Sequence, residues 1–150
     1  MTLIKHYESC KLEAYRDSVG IWTIGWGTTK GVKPGMKITQ AEADRLLAKD
    51  LYDEFEPGVK DAIKVPYSQA HFDACVSFAY NLGVGAFQSS TLLKMLNAGN
   101  PKGAADQFKR WTLAGGVSLL GLRRRRAAES LVFQGYDAKE AIKIALRDTK

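Results

Sequence analysis

Five glycines fall between residues 20 and 35: Gly20, Gly25, Gly27, Gly31 and Gly35. They punctuate a run of β-prone residues, Val19, Ile21, Trp22, Thr23, Ile24 and Trp26. Glycine reaches turn conformations that other residues resist, and β-branched and aromatic side chains suit a pleated surface. The pattern predicts short strands joined by tight turns, and it is the only β region the sequence announces. Everything else is periodic in the helical sense, so the fold class is α+β: one small sheet near the N-terminus and a mostly helical remainder.

The helices have readable ends. Leu3, Ile4, Tyr7 and Leu12 predict a short helix over 2–12, with Glu8 in its C-terminal half. Thr39-Gln-Ala-Glu42 is a capping box. Ala43, Leu46, Leu47, Leu51 and Phe55 follow at helical spacing, and Pro57-Gly58 should stop that helix. Ser68 should cap a helix that buries Phe72, Cys75, Val76 and Ala79 and breaks at Asn81-Leu-Gly-Val-Gly. Ser90 caps Leu92, Leu93 and Leu96, and Asn100-Pro101 reads as cap and first helical position. Gly115-Gly116 and Gly121 mark a loop, and residues 123–134 and 137–148 form two closing helices. The expected organisation is one domain over 1–150. Residues 13–38 form a small β lobe, 39–57 a connecting helix, and 1–12 with 58–150 a helical lobe.

Composition excludes several classes. No run of about 18 apolar residues exists to span a bilayer, and MTLIKHYESCKLE has no secretion-signal pattern. The two cysteines, Cys10 and Cys75, form no Cys-x-x-Cys pair, and only His6 and His71 could join them, so no metal site is expected. The cysteines read as buried free thiols or, less simply, as a disulfide. Net charge is +6, and residues 120–150 hold eight Lys/Arg against four acids, which is +4 of it. Such a balance favours a polyanionic partner: nucleic acid, anionic lipid or bacterial cell wall.

Within ESCKLEAYRDSVGIWTIGW, eight residues separate Glu8 from Asp17 and five separate Asp17 from Thr23. Two carboxylates with a hydroxyl nearby suit hydrolysis of a glycosidic bond. One carboxyl must be protonated to hand a proton to the leaving oxygen, and the other ionised to activate water or stabilise charge on the sugar. Spacing alone favours solvated surface acids over catalysis.

Glu-x8-Asp-x5-Thr followed by IGWG resembles the catalytic signature of phage-type lysozymes, glycoside hydrolase family 24. The resemblance runs on through FAYNLGVGAFQSSTLLKMLNAGN at 78–100, FKRWTLAGG at 108–116 and GLRRRRAAE at 121–129. It implies a lysozyme-like fold with an active-site cleft between the two lobes. It implies Glu8 as general acid, Asp17 as the carboxylate across the sugar, and Thr23 holding the attacking water. Studied members invert configuration; a retaining route with Asp17 as nucleophile stays open. The substrate implied is peptidoglycan, cut at the β-1,4 bond between N-acetylmuramic acid and N-acetylglucosamine. No metal or organic cofactor, no nucleic acid, no stable membrane association and a monomer are expected. So is accumulation in a host cytoplasm, with a separate pore-forming protein giving access to the wall.

The same resemblance places Tyr80 and Asn81 near the cleft as substrate-binding residues, or Asn81 as a helix-end residue serving the backbone. One arginine of Arg123 to Arg126, with Arg125 favoured, should face Glu8; most of the four read as a solvated basic face. Such a contact favours ionised Glu8, so it must be offset by burial or broken when substrate binds. Trp22 and Trp26 read as core residues or sugar-stacking surfaces, and Trp111 as core. Relatives often carry a histidine where this chain has Thr28, which implies altered packing there and not lost chemistry. His71 should face solvent or core. The rivals are a lytic transglycosylase, which would not need Asp17 and Thr23, and a non-catalytic wall- or nucleic-acid-binding module. The segment DAKEAIKIALRD is only mildly amphipathic, a weak basis for a separate membrane-active role.

Overall fold

The computed structural model describes residues 1–114 and 116–150. Helix α1 (Thr2–Tyr7) buries Leu3 and Ile4 and stops at Glu8, whose backbone is extended. It does not run to residue 12. Strand β1 (Lys11–Arg16) takes over, because Leu12 offers its carbonyl to the Ile38 amide at 2.8 Å and joins the sheet. β1 pairs antiparallel with β2 (Trp22–Gly25), setting Tyr15 opposite Thr23 and Arg16 opposite Trp22.

Any other residue at Gly27 would be strained. Its φ is +129°, and a Cβ there would lie 3.0 Å from the Tyr80 hydroxyl, which donates to the Trp26 carbonyl at 2.8 Å. This close approach fastens the IGWG turn onto the helical part of the molecule.

Helix α2 (Gln40–Asp50) carries the complete Thr39/Glu42 capping box. It does not end at Pro57. A π-helical turn over Leu51–Phe55 leads directly into α3 (Glu56–Ala62), and Pro57 sits in the first turn of α3. Pro57 has no N–H to donate, and it follows the π turn, where the i→i−4 pattern is already interrupted.

Helix α4 (Gln69–Leu82) starts at Ser68, whose hydroxyl accepts from the His71 amide, and ends at Gly83 with φ +98°. Helices α5 (Val84–Ser89), α6 (Thr91–Asn97) and α7 (Pro101–Gln107) follow, the last two capped by Ser90 and Asn100. A second hairpin, β3 (Leu113–Ala114) with β4 (Val117–Ser118), was not foreseen; Gly116 turns it at φ +81°, and Gly115 lies outside the described residues. Gly121 belongs to helix α8 (Leu120–Phe133) and not to a loop, and α9 (Ala138–Asp148) follows.

The core forms where α4 meets α8. Phe78 is fully buried and meets Phe87, Phe108 and Trp111 edge-on at 5.4–6.2 Å. Offset and edge-on aromatic pairs hold more than their buried area alone. Trp111 is half-buried against this cluster. Trp26 also packs on the core and donates from its indole to Asp44 at 2.8 Å. Trp22 is half-buried beneath the Arg16 guanidinium, 5.2 Å from the ring centre. Both cysteines are free thiols; Cys75 is buried, but Cys10 is only half-buried beside Gln40. Thr28 is buried and donates to Asp50 at 2.7 Å, so a hydroxyl completes this contact between the sheet region and α2. His71 stacks on Phe133 at 4.3 Å.

Candidate active site

A cavity of about 290 Å³ opens between the β1–β2 sheet and α4. Its walls hold Glu8, Asp17, Thr23, Tyr80 and Asn81. Three larger cavities, of about 460, 440 and 400 Å³, contain none of these residues. A second depression, of about 320 Å³, shares Glu8 and Asn81 and adds Tyr7, Leu119 and Arg125. The two meet at Glu8 and Asn81 and are taken together as the cleft.

Glu8 caps the C-terminal end of α1, its amide donating to the Ile4 carbonyl at 2.8 Å. Its carboxylate is about a quarter exposed and receives Arg125 Nη1 at 2.5 Å. Arg125 comes from α8 and is 3% exposed. It also donates from Nη2 to the Ser77 carbonyl and from Nε to Glu129, each at 3.2 Å. Of the four arginines Arg123 to Arg126, two leave solvent and Arg123 and Arg124 stay partly exposed. Arg125 and Arg126 are buried, Arg123 bonds Ser118, and Arg124 bonds the Thr149 carbonyl. Burial follows from paired charge: Glu129, fully buried, lies between Arg125 and Arg126.

Asp17 is held differently. Its Oδ1 accepts from the amides of Val19 and Ile21, at 3.0 and 2.9 Å, within the β1–β2 turn. Among the described residues Oδ2 has no hydrogen-bond partner, and Asp17 lines the cavity. Thr23 is 4% exposed, and its hydroxyl donates to the Ile21 carbonyl at 2.9 Å. With its one proton committed, the Thr23 oxygen can only accept from anything else.

Sequence reasoning missed Tyr15, Gly27, Thr29 and Phe55, which also line the cavity. Tyr15 was within reach: it stands near the end of β1, two residues before Asp17. Its phenol is pushed above its usual range, first by burial and then by the Glu8 and Asp17 charges, so it stays a neutral group. Tyr80 is raised in the same way, chiefly by burial. Tyr7, beneath Arg125, is pushed up to about 12, again mainly by burial.

The family described as phage lysozyme matches residues 5–129. The chain belongs to the phage lysozyme family. It is 42% identical over 142 residues to an endolysin of Bacillus phage B103, covering 93% of this chain and 54% of that protein. It is 39% identical over 138 residues to an endolysin of Acyrthosiphon pisum secondary endosymbiont phage 1, covering 89% of this chain and 94% of that protein. The chain thus spans about half the length of the Bacillus phage relative but nearly all of the other. Its fold matches the muramidase domain of SpmX from Asticaccaulis excentricus with a TM-score of 0.84 and 35% identity, over 90% of this chain and 94% of that one. The lysozyme-like fold expected from the sequence is therefore the fold observed.

Proposed function

We propose that this protein is a muramidase that hydrolyses the β-1,4 bond between N-acetylmuramic acid and N-acetylglucosamine in peptidoglycan. The observation that carries this reading is the shared cavity of Glu8, Asp17 and Thr23, with Tyr80 and Asn81 on its helical wall. Phage endolysins and a muramidase domain among its relatives support it.

Glu8, in its protonated form, gives its proton to the glycosidic oxygen as the C1–O bond breaks and positive charge builds on the sugar ring. Arg125 stabilises the carboxylate that remains. In the empty cleft Arg125 holds Glu8 Oε2, so the entering glycosidic oxygen must meet the other carboxyl oxygen or displace Arg125. Water attacks C1 from the other face. It gives one hydrogen to the free Oδ2 of Asp17 and points the other at Thr23 Oγ1, which can only accept. That leaves a water lone pair aimed at C1. Asp17 keeps the proton and returns it to solvent, and the product has inverted configuration. Delivery to the wall through a separate pore-forming protein belongs to the same proposal, carried by the family resemblance. No helix among the described residues is long and apolar enough to cross a membrane. The net charge of +6 aids capture of the anionic wall, and high salt should weaken that capture.

The test is a digest of purified peptidoglycan read by mass spectrometry and NMR. Reducing-end muramic acid with inverted configuration is expected, and Asp17→Asn should slow its release by about a hundredfold or more. Products one water lighter, carrying an anhydro end, would assign a transglycosylase and remove Asp17 and Thr23 from the reaction. No release from a folded protein would leave a binding module.

A further inference from the structure

Asn81 lines both parts of the cleft, yet its hydrogen bonding is set from behind. Arg126 Nη2 lies 2.9 Å from Asn81 Oδ1. A guanidinium only donates, so the Asn81 atom facing it must be the carbonyl oxygen. The amide nitrogen is then turned the other way, and among the described residues it meets no acceptor. Arg126 itself has no freedom. It is 0% exposed, its charged carbon lies 5.2 Å from the centre of the Phe78 ring, and its Nε sits 2.8 Å from Glu129 Oε1. Its Nη2 also donates to Glu129 Oε2 at 3.2 Å, and that oxygen further accepts from Ser77 and Arg125.

We infer that Arg126 and Glu129 are positioning residues for substrate recognition: they lock the Asn81 amide so that it offers the cleft N–H donors alone. The group read there is an oxygen acceptor on the glycan, a carbonyl or ether oxygen, and not a hydroxyl used as donor. This rests on the proposed reading of the cleft as a glycan site and adds what sets its polarity. Free asparagine can turn its amide over and suit either kind of partner. Here a reversed amide would put N–H against N–H at Arg126 and leave a buried guanidinium hydrogen unpaired. The same Glu129 carboxylate holds Arg125, the partner of Glu8. One buried acid therefore orients the residues that flank both parts of the cleft.

The experiment measures kcat and KM for wild type, Asn81→Asp, Arg126→Met and the double variant on soluble peptidoglycan glycan strands. Asn81→Asp keeps size and the Arg126 contact but puts an acceptor where the donor was. KM should rise about tenfold with kcat nearly unchanged, the mark of a lost uniform binding contact. Arg126→Met should raise KM similarly, and the double variant should be little worse than either single one, because both break one interaction. A purely structural Arg126 would lower the melting temperature and leave KM alone. If Arg126→Met does not fold, Arg126→Lys takes its place, since one ammonium cannot meet Asn81 and Glu129 together. Unchanged KM in Asn81→Asp, or strictly additive effects, overturns this inference while turnover by wild type upholds the reading of the cleft. A folded wild type that releases nothing overturns both.

Discussion

The two carboxylates that line the cleft are held by opposite means. Asp17 is oriented by amides two and four residues ahead in its own turn. Glu8 is oriented by a side chain 117 residues away, itself gripped by a buried acid and a backbone carbonyl of a third element. One wall is local, polar and half-open. The other is a dry ion-pair network assembled only when α1, α4 and α8 meet. Local support survives small changes in packing. The network fails as a unit, because removing one partner strands a buried charge.

The largest expected effect lies at the point where the network touches chemistry. Glu8→Gln should cut turnover about a thousandfold or more, with folding retained, since an amide cannot deliver the proton. Near-wild-type turnover by a folded variant would end the general-acid assignment.

Glu129→Ala should break the distant wall from behind. It strands Arg125 and Arg126, and stability should fall by about 3–5 kcal/mol in urea or thermal unfolding. No comparable loss is expected from Asp17→Asn, whose carboxylate lies in a partly exposed turn. Equal losses from both variants would erase the contrast between the walls.

Thr23→Val keeps the shape of the buried site and removes the oxygen that receives water. An approximately tenfold drop in kcat is expected, with stability nearly unaltered. An unchanged kcat would take Thr23 out of the water site.

The smallest effect sets a baseline away from both walls. Burial against Phe133 lowers the His71 pKa below its ordinary 6.5. The folded protein therefore binds the proton less readily than the unfolded chain. The stability this contributes is full above pH 6.5 and is lost as pH falls through and below that value. His71→Gln, which can still serve the Ser68 cap, should flatten the melting temperature between pH 7 and 5 without changing the pH profile of turnover. A changed profile would connect His71 to the cleft.

Much of this was legible along the chain. The capping box at Thr39 and Glu42, the caps at Ser68, Ser90 and Asn100, and the glycine turns are contacts among near neighbours, so residue types a few positions apart announce them. Asp17 and Thr23 belong to the same class: their partners lie within four residues. Errors arose where neighbours did not decide. Helical spacing at Leu12 lost to sheet pairing with Ile38. Pro57 read as a stop, but the preceding π turn placed it where a proline is tolerated. Most of Arg123 to Arg126 read as solvated because charge favours water, but Glu129, one helical turn away, buries Arg126 along with Arg125.

By itself, then, the sequence determined the local elements, their caps, the sheet turn that carries Asp17, and the spacing that marks the family. Those depend on backbone preferences and on hydrogen bonds spanning a few residues. Only the tertiary structure decided which arginine meets Glu8, which is buried against Phe78, and which way the Asn81 amide points. Those outcomes depend on where α4 and α8 cross, and the desolvation that makes each pairing obligatory exists only once they have packed.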